Sequence, residues 1–150
     1  MNKITVLIVD DEKPARTALR YLLENSSLAE FQIMEAKNGS EGLHLFDECC
    51  PDIVILDINM PHMNGIDFLE KIENHIGNTK IIIISGYNEF EFAQKTIQYN
   101  VVGYLLKPIN RQEFHGVMEK AVMRFMQDSS VNEKMFMLRQ EMLIEYLRLR

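Results

Sequence analysis

Asp57 closes the run DIVILDINMP (Asp52 to Pro61), where four aliphatics, Ile53 to Leu56, lead straight to a carboxylate. Other apolar runs end in the same abrupt way. ITVLIVDDE ends in Asp10, Asp11 and Glu12, KIIIISG in Ser85, and VVGYLLKP in Lys107 before Pro108. A carboxylate at the floor of a crevice can attack phosphorus and form an acyl phosphate. Such a transfer needs chiefly positioning and charge neutralisation. The Lys107 ammonium would neutralise incoming phosphoryl oxygens, and the Ser85 hydroxyl would donate a hydrogen bond to one. Asp10, Asp11 and Asp57 brought together would repel, and a hard divalent cation removes the conflict. Mg²⁺ suits a site of few carboxylates plus water and phosphate. The backbone carbonyl of Asn59, two residues past Asp57, is a further oxygen for such an ion.

Each residue also has a plainer reading. Asp-Asp-Glu after a strand is a solvated turn that caps the next helix, and Asp57 with Asn59 and Pro61 is a turn former. Lys107 is a lysine snorkelling at a strand end. Against these stands the repetition: four buried-strand signatures each deliver a polar group at the C-terminal end. In an open parallel sheet, that end is where ligands bind, at the point where strand order reverses.

Strand and helix signals alternate five times along the chain. Strands are expected at 4–9, 31–36, 53–57, 81–84 and 101–106, the second nearest an edge because its polarity is mixed. Pro14 fits a first helical turn, with Ala15, Ala18, Leu19, Leu22 and Leu23 on one stripe. Ser40 is expected to cap a helix carrying Leu43, Phe46 and Cys50. Ile66, Leu69, Ile72 and Ile76 mark the next helix after Asn64-Gly65, and Phe90, Ala93 and Ile97 the one after. Asn110 as N-cap with Glu113 at N3 opens a helix with Phe114, Val117, Met118, Ala121, Val122 and Phe125 inward. Strands apolar on both faces, alternating with amphipathic helices, imply a doubly wound parallel (βα)5 sheet ending near Gln127. Asp128-Ser129-Ser130 reads as a polar break. A further helix follows, with Val131, Met135, Leu138, Met142, Tyr146 and Leu149 near helical spacing. It stops in mid-pattern, so the expectation is one domain at 1–127 and a helical extension at 128–150 of a longer protein.

The formal net charge is −6 over 150 residues, and the first 127 carry all of it, with 18 acidic and 12 basic residues. Sequence-independent binding to nucleic-acid phosphates needs clustered Lys and Arg, which this body lacks. Cys49 and Cys50 are adjacent and provide no disulfide framework; reduced residues at a helix end fit a cytoplasmic protein. No run approaches a membrane span.

The pair Asp10-Asp11, Asp57 followed by Met60-Pro61 and Gly65, Ser85-Gly86 and Lys107-Pro108 resemble the receiver domain of bacterial two-component response regulators. The likeness runs from Lys3 to about Gln127 in consistent order and spacing. It implies the flavodoxin-like strand order 2-1-3-4-5 and a phosphoryl group accepted on Asp57 from a histidine kinase. It also implies Mg²⁺ held by Asp11, Asp57 and the Asn59 carbonyl, with Asp10 assisting through water. Ser85 would be the switch hydroxyl, Tyr104 the switch aromatic, and the Lys107–Pro108 bond cis. Asn59 and Tyr87 stand at positions that vary in the family and affect acyl-phosphate lifetime. On this reading the surface of residues 90–97, 102–106 and 110–127 is remodelled by phosphorylation, with Tyr99 beside it in half-buried packing. The segment Ser85 to Ile109 and the extension are similar to receivers attached to arabinose-regulator-type helix-turn-helix domains, which implies a missing DNA-binding output and transcriptional control. The extension resembles a signalling helix that continues the domain or pairs with a partner chain, a homodimer included; the plainer reading is an amphipathic helix docking on its own domain or on a missing neighbour.

Other readings differ in their residues. An aspartyl-nucleophile phosphatase would carry a general acid two positions past Asp57, where this chain has Asn59. A flavin module would want Ser, Thr or Gly where Asp10, Asp11 and Glu12 stand. A stand-alone phosphorelay shuttle would lack the extension.

Overall fold

The computed structural model describes residues 3–86 and 90–149; Tyr87 lies outside the described residues. Five parallel strands form one sheet in the order β2-β1-β3-β4-β5, where β1 is Ile4–Val9, β2 Phe31–Ala36, β3 Ile53–Asp57, β4 Lys80–Ser85 and β5 Gly103–Leu106. The doubly wound order expected from the sequence is the one observed. Alternation along each strand divides the core. Val6, Ile8, Ile53, Ile55, Ile82 and Ile84 face helices α1 (Lys13–Glu24) and α5 (Arg111–Arg148). Leu7, Val9, Val54, Leu56, Ile81 and Ile83 face α2 (Gly39–Cys49) and α3 (Gly65–Ile72). Burial on both faces explains the unbroken aliphatic runs, because neither face can carry a polar residue.

Helix entry differs from expectation at one place. Asn38, not Ser40, caps α2: its backbone is extended and its side chain accepts the Glu41 amide at 2.7 Å. Ser40 lies inside the helix, where its hydroxyl has no free first-turn amide in cap geometry. Asn64 and Asp67 form a reciprocal capping box on α3, and Asn110 accepts the amides of Gln112 and Glu113 on α5. Helix α4 is short, Phe90–Lys95, and passes into a 3-10 turn at Ile97–Tyr99. Tyr99 is buried in the α2–α3 face of the core rather than half-buried. Strand β5 starts two residues later than expected; Val102 donates a single backbone bond to Ile81 before the ladder begins.

The polar triplet Asp128-Ser129-Ser130 does not interrupt α5, which is continuous over 38 residues, about 57 Å. Neither Asp nor Ser breaks a helix as Pro does, and Asp128 is held by an ion pair with Lys80 at the start of β4. What changes at the triplet is burial. Phe114, Met118, Ala121 and Val122 are buried, whereas residues 130–149 are exposed. Cys49 and Cys50 are free and exposed at the end of α2. No described helix is long and apolar enough to cross a membrane.

Candidate functional site

The sheet order reverses between β1 and β3, so the loops leaving their C-terminal ends diverge and open a crevice. Val9 pairs with Leu56 across that point, which sets Asp10 beside Asp57. One oxygen each of Asp10, Asp11 and Asp57 lies within 4.8 Å of the others, close enough for one cation. Asp10 and Asp57 are buried, and Asp11 keeps contact with solvent.

Lys107 reaches the cluster from the end of β5. Its Nζ stands 3.2 Å from Asp57 Oδ2, to which it donates a hydrogen bond, and 3.2 Å from Asp10 Oδ2. The second approach is ionic only, outside hydrogen-bond geometry, so Asp10 Oδ2 is a buried oxygen with no hydrogen-bond partner. Lys107 is fixed by its backbone: its amide donates to the Ser85 carbonyl at 2.8 Å, and the bond to Pro108 is cis. Ser85 is itself buried, at the end of β4, one residue past the partner of Asp57. Asn59 donates its amide to Asp57 Oδ1 at 3.2 Å. The backbone of Gly65 passes so close that a Cβ there would come within 2.9 Å of the Asp57 carbonyl oxygen.

Electrostatically the site is under tension. Burial first, and the neighbouring Asp10 second, push the Asp57 carboxyl up to about 7, although Lys107 and the Asn59 amide act the other way. For Lys107, burial opposes the charge, but Asp57 and Asp10 outweigh it and hold its pKa above the ordinary lysine value. One cation cannot satisfy two buried carboxylates and the open Asp11 as well. A divalent metal with oxygen preference fits this donor set, and the buried Asp10 oxygen that accepts no hydrogen bond is the observation that argues for it.

Tyr104 lies apart from the cluster. It is 41% exposed, and its hydroxyl is 2.9 Å from that of the fully buried Thr96. Two residues near these groups are not legible as site residues in the sequence. Thr96 carries no signal beyond a threonine near a helix end. Arg16, at the end of the first turn of α1, donates from Nη1 to the Asp10 carbonyl at 2.7 Å.

The match to the model of the response regulator receiver domain extends over residues 6–119. The transcriptional regulatory protein HptR of Staphylococcus aureus is 35% identical over 127 residues, covering 85% of this chain and 50% of that protein. An uncharacterized response regulatory protein of Staphylococcus epidermidis is 34% identical over 122 residues, covering 81% and 48%. The chain therefore spans about half the length of the curated relatives it matches. Among solved structures, the receiver domain of AraT, a response regulator from Geobacillus stearothermophilus, superposes with a TM-score of 0.78 at 32% identity, covering 85% of this chain and 99% of that one. A two-component transcriptional regulator AraC from Clostridium phytofermentans gives 0.76 at 27% identity, covering 83% and 97%. With its strand order, its acidic crevice and these relatives in agreement, the chain belongs to the response regulator receiver family of two-component signalling.

Proposed function

We propose that Asp57 is the phosphoacceptor of this receiver and takes its phosphoryl group from a phosphohistidine of a sensor kinase. The observation that carries the reading is the convergence of Asp57, Asp10 and Lys107, with Nζ 3.2 Å from both carboxylates. In the transfer, an Asp57 oxygen forms the new P–O bond as the donor P–N bond breaks, and the imidazole leaves with the electron pair. Asp10, Asp11, Asp57 and the Asn59 carbonyl would hold Mg²⁺, which would supply neutralisation of the charge gathered on the phosphoryl oxygens. Lys107 neutralises the same charge, and the Ser85 hydroxyl donates to a phosphoryl oxygen. The domain thus assists its own phosphorylation and dephosphorylation and turns over no external substrate.

The signal follows from added charge. A phosphoryl group brings close to two negative charges and strong acceptors to the end of β3. Ser85 shifts toward it, Tyr104 leaves Thr96 and turns inward, and the surface of α4, β5 and the first half of α5 changes shape. The outward Tyr104, held by the Thr96 hydroxyl, supports this as the resting position. An apolar concavity beside Lys107, lined by Pro14, Ala15, Ala18, Tyr21, Pro108 and Ile109, supports kinase docking next to the acceptor. The kinship with HptR, a transcriptional regulatory protein about twice the matched length, supports transcriptional control; the output is then an attached DNA-binding domain, and the protein acts in the cytoplasm. The acidic receiver does not itself bind nucleic acid. The exposed apolar residues of the extension support pairing with a second chain.

The test is intact-mass measurement after incubation with Mg²⁺ and acetyl phosphate. A single hydroxylamine-labile adduct is expected in the wild type and none in Asp57→Asn. Steady hydrolysis of phosphate monoesters, or an adduct that survives in Asp57→Asn, overturns the proposal. Tyr104→Ala is expected to keep the adduct and lose phosphorylation-dependent association; unchanged association would break the proposed coupling.

A further inference from the structure

Three carboxylates within 4.8 Å of one another must be restrained, because mutual repulsion drives the loop after β1 outward. The Asp10 backbone is restrained on both sides. Its amide donates to the Ala36 carbonyl of β2 at 3.1 Å. Its carbonyl accepts from Arg16 Nη1 of α1 at 2.7 Å. That carbonyl belongs to the planar peptide joining Asp10 to Asp11, so holding it sets the direction in which both side chains leave the backbone.

Arg16 is itself locked. Its side chain is only 14% exposed, and Nε pairs with Glu35 Oε1 of β2 at 3.3 Å. The other Glu35 oxygen takes Arg20 Nε at 2.7 Å. A guanidinium can spend one donor on the carboxylate and another on the carbonyl at a fixed angle, which a lysine ammonium cannot reproduce. Arg20 shares the same carboxylate, but its guanidinium donates to the backbone of Ile33, away from the acidic loop.

We infer that Arg16, clamped by Glu35, is a positioning residue for the cation site: it presets the Asp10–Asp11 peptide against carboxylate repulsion so that the divalent ion finds its ligands in place. The inference rests on the Mg²⁺-dependent acceptor reading above. Groups that orient metal ligands without touching the ion are worth about tenfold or more in affinity.

The test is calorimetric titration of Mg²⁺ into the whole chain as wild type, Arg16→Met, Arg16→Lys and Arg20→Met. Thermal unfolding of each in EDTA and acetyl phosphate labelling of Asp57 complete the set. Arg16→Met is expected to bind Mg²⁺ about tenfold more weakly, and Arg16→Lys to fall between it and the wild type. Raising Mg²⁺ to saturation is expected to bring Arg16→Met labelling back to within about twofold of wild type, because the acceptor itself is untouched. Arg20→Met reports what the α1–β2 ion pair alone contributes: a lower melting temperature with unchanged Mg²⁺ affinity. Should Arg16→Met not fold, Arg16→Lys against Arg20→Met carries the same comparison. Wild-type Mg²⁺ affinity in the Arg16 variants, or equal weakening in Arg20→Met, overturns the inference while leaving the acceptor reading standing. A wild type that neither binds Mg²⁺ nor takes the phosphoryl group overturns both.

Discussion

Asp52 and Asp57 stand at opposite ends of β3, and the fold treats them in opposite ways. At the amino end the Asp52 carboxylate accepts the Thr5 amide at 2.9 Å, and its backbone bonds to Thr5 and Lys80 on the flanking strands. Around it, the Thr79 hydroxyl donates to the Pro51 carbonyl and Lys80 pairs with Asp128. At the carboxyl end, Asp57 is buried against Asp10, one Asp10 oxygen has no hydrogen-bond partner, and a single lysine serves both. The same residue type closes a hydrogen-bond network at one end of the strand and stores electrostatic tension at the other. Tension of that kind persists where a ligand or reaction relieves it, which is why the carboxyl end is the place to look for chemistry.

The largest effect belongs to the tense end. Asp57→Asn removes the charge that burial opposes, and in metal-free protein at pH 7 it is expected to gain on the order of 2–4 kcal/mol by chemical denaturation. The pH dependence has a definite sign. The folded carboxyl titrates near 7, above its ordinary 3.8, so between those values the native state keeps a proton that the unfolded chain has lost. This group's contribution is therefore neutral below the lower value, increasingly destabilising as pH rises from the lower to the upper, and constant above it. Metal-free wild type should lose stability over that interval relative to Asp57→Asn, and parallel profiles would erase the contrast between the two ends.

Gly65→Ala is next. A Cβ would lie 2.8 Å from Ile58 Cα and 2.9 Å from the Asp57 carbonyl oxygen, both backbone atoms with little room to yield. It is expected to cost about 1–3 kcal/mol and to slow Asp57 labelling, since the end of β3 must shift. Asp52→Ala, at the satisfied end, should cost about 1–2 kcal/mol through the orphaned Thr5 amide while Asp57 labels at the wild-type rate. Slower labelling would mean that the two ends are coupled along the strand. Asp128→Asn is the smallest perturbation. It breaks a partly exposed ion pair, and denaturation should register less than about 1 kcal/mol.

Much of the sheet was legible because burial on both faces leaves no latitude: IVIL before Asp57 reads as a strand in any context that has a core. The polar residues at the strand ends were legible for the same reason, since each interrupts an otherwise apolar run. Capping was legible in kind and off by two residues at α2, where Asn38 and Ser40 are both competent caps and backbone geometry decides between them. The triplet after Gln127 reads as a break because Asp and Ser favour loops in isolation, yet a helix anchored through Lys80 tolerates them. Arg16 and Thr96 were invisible, because their partners lie on other elements and no spacing rule links them.

Periodicity and residue type, both local, determined the kinds of element, their alternation and the carboxylate, hydroxyl and amine at the strand termini. Only the packed structure decided that burial pushes the Asp57 carboxyl up to about 7, that one Asp10 oxygen accepts no hydrogen bond and that Tyr104 points outward. It also decided that the apolar residues of the second half of α5 stand in solvent while those of the first half are covered. Each of those depends on which groups from distant parts of the chain share a low-dielectric space, and that is a property of contacts rather than of sequence.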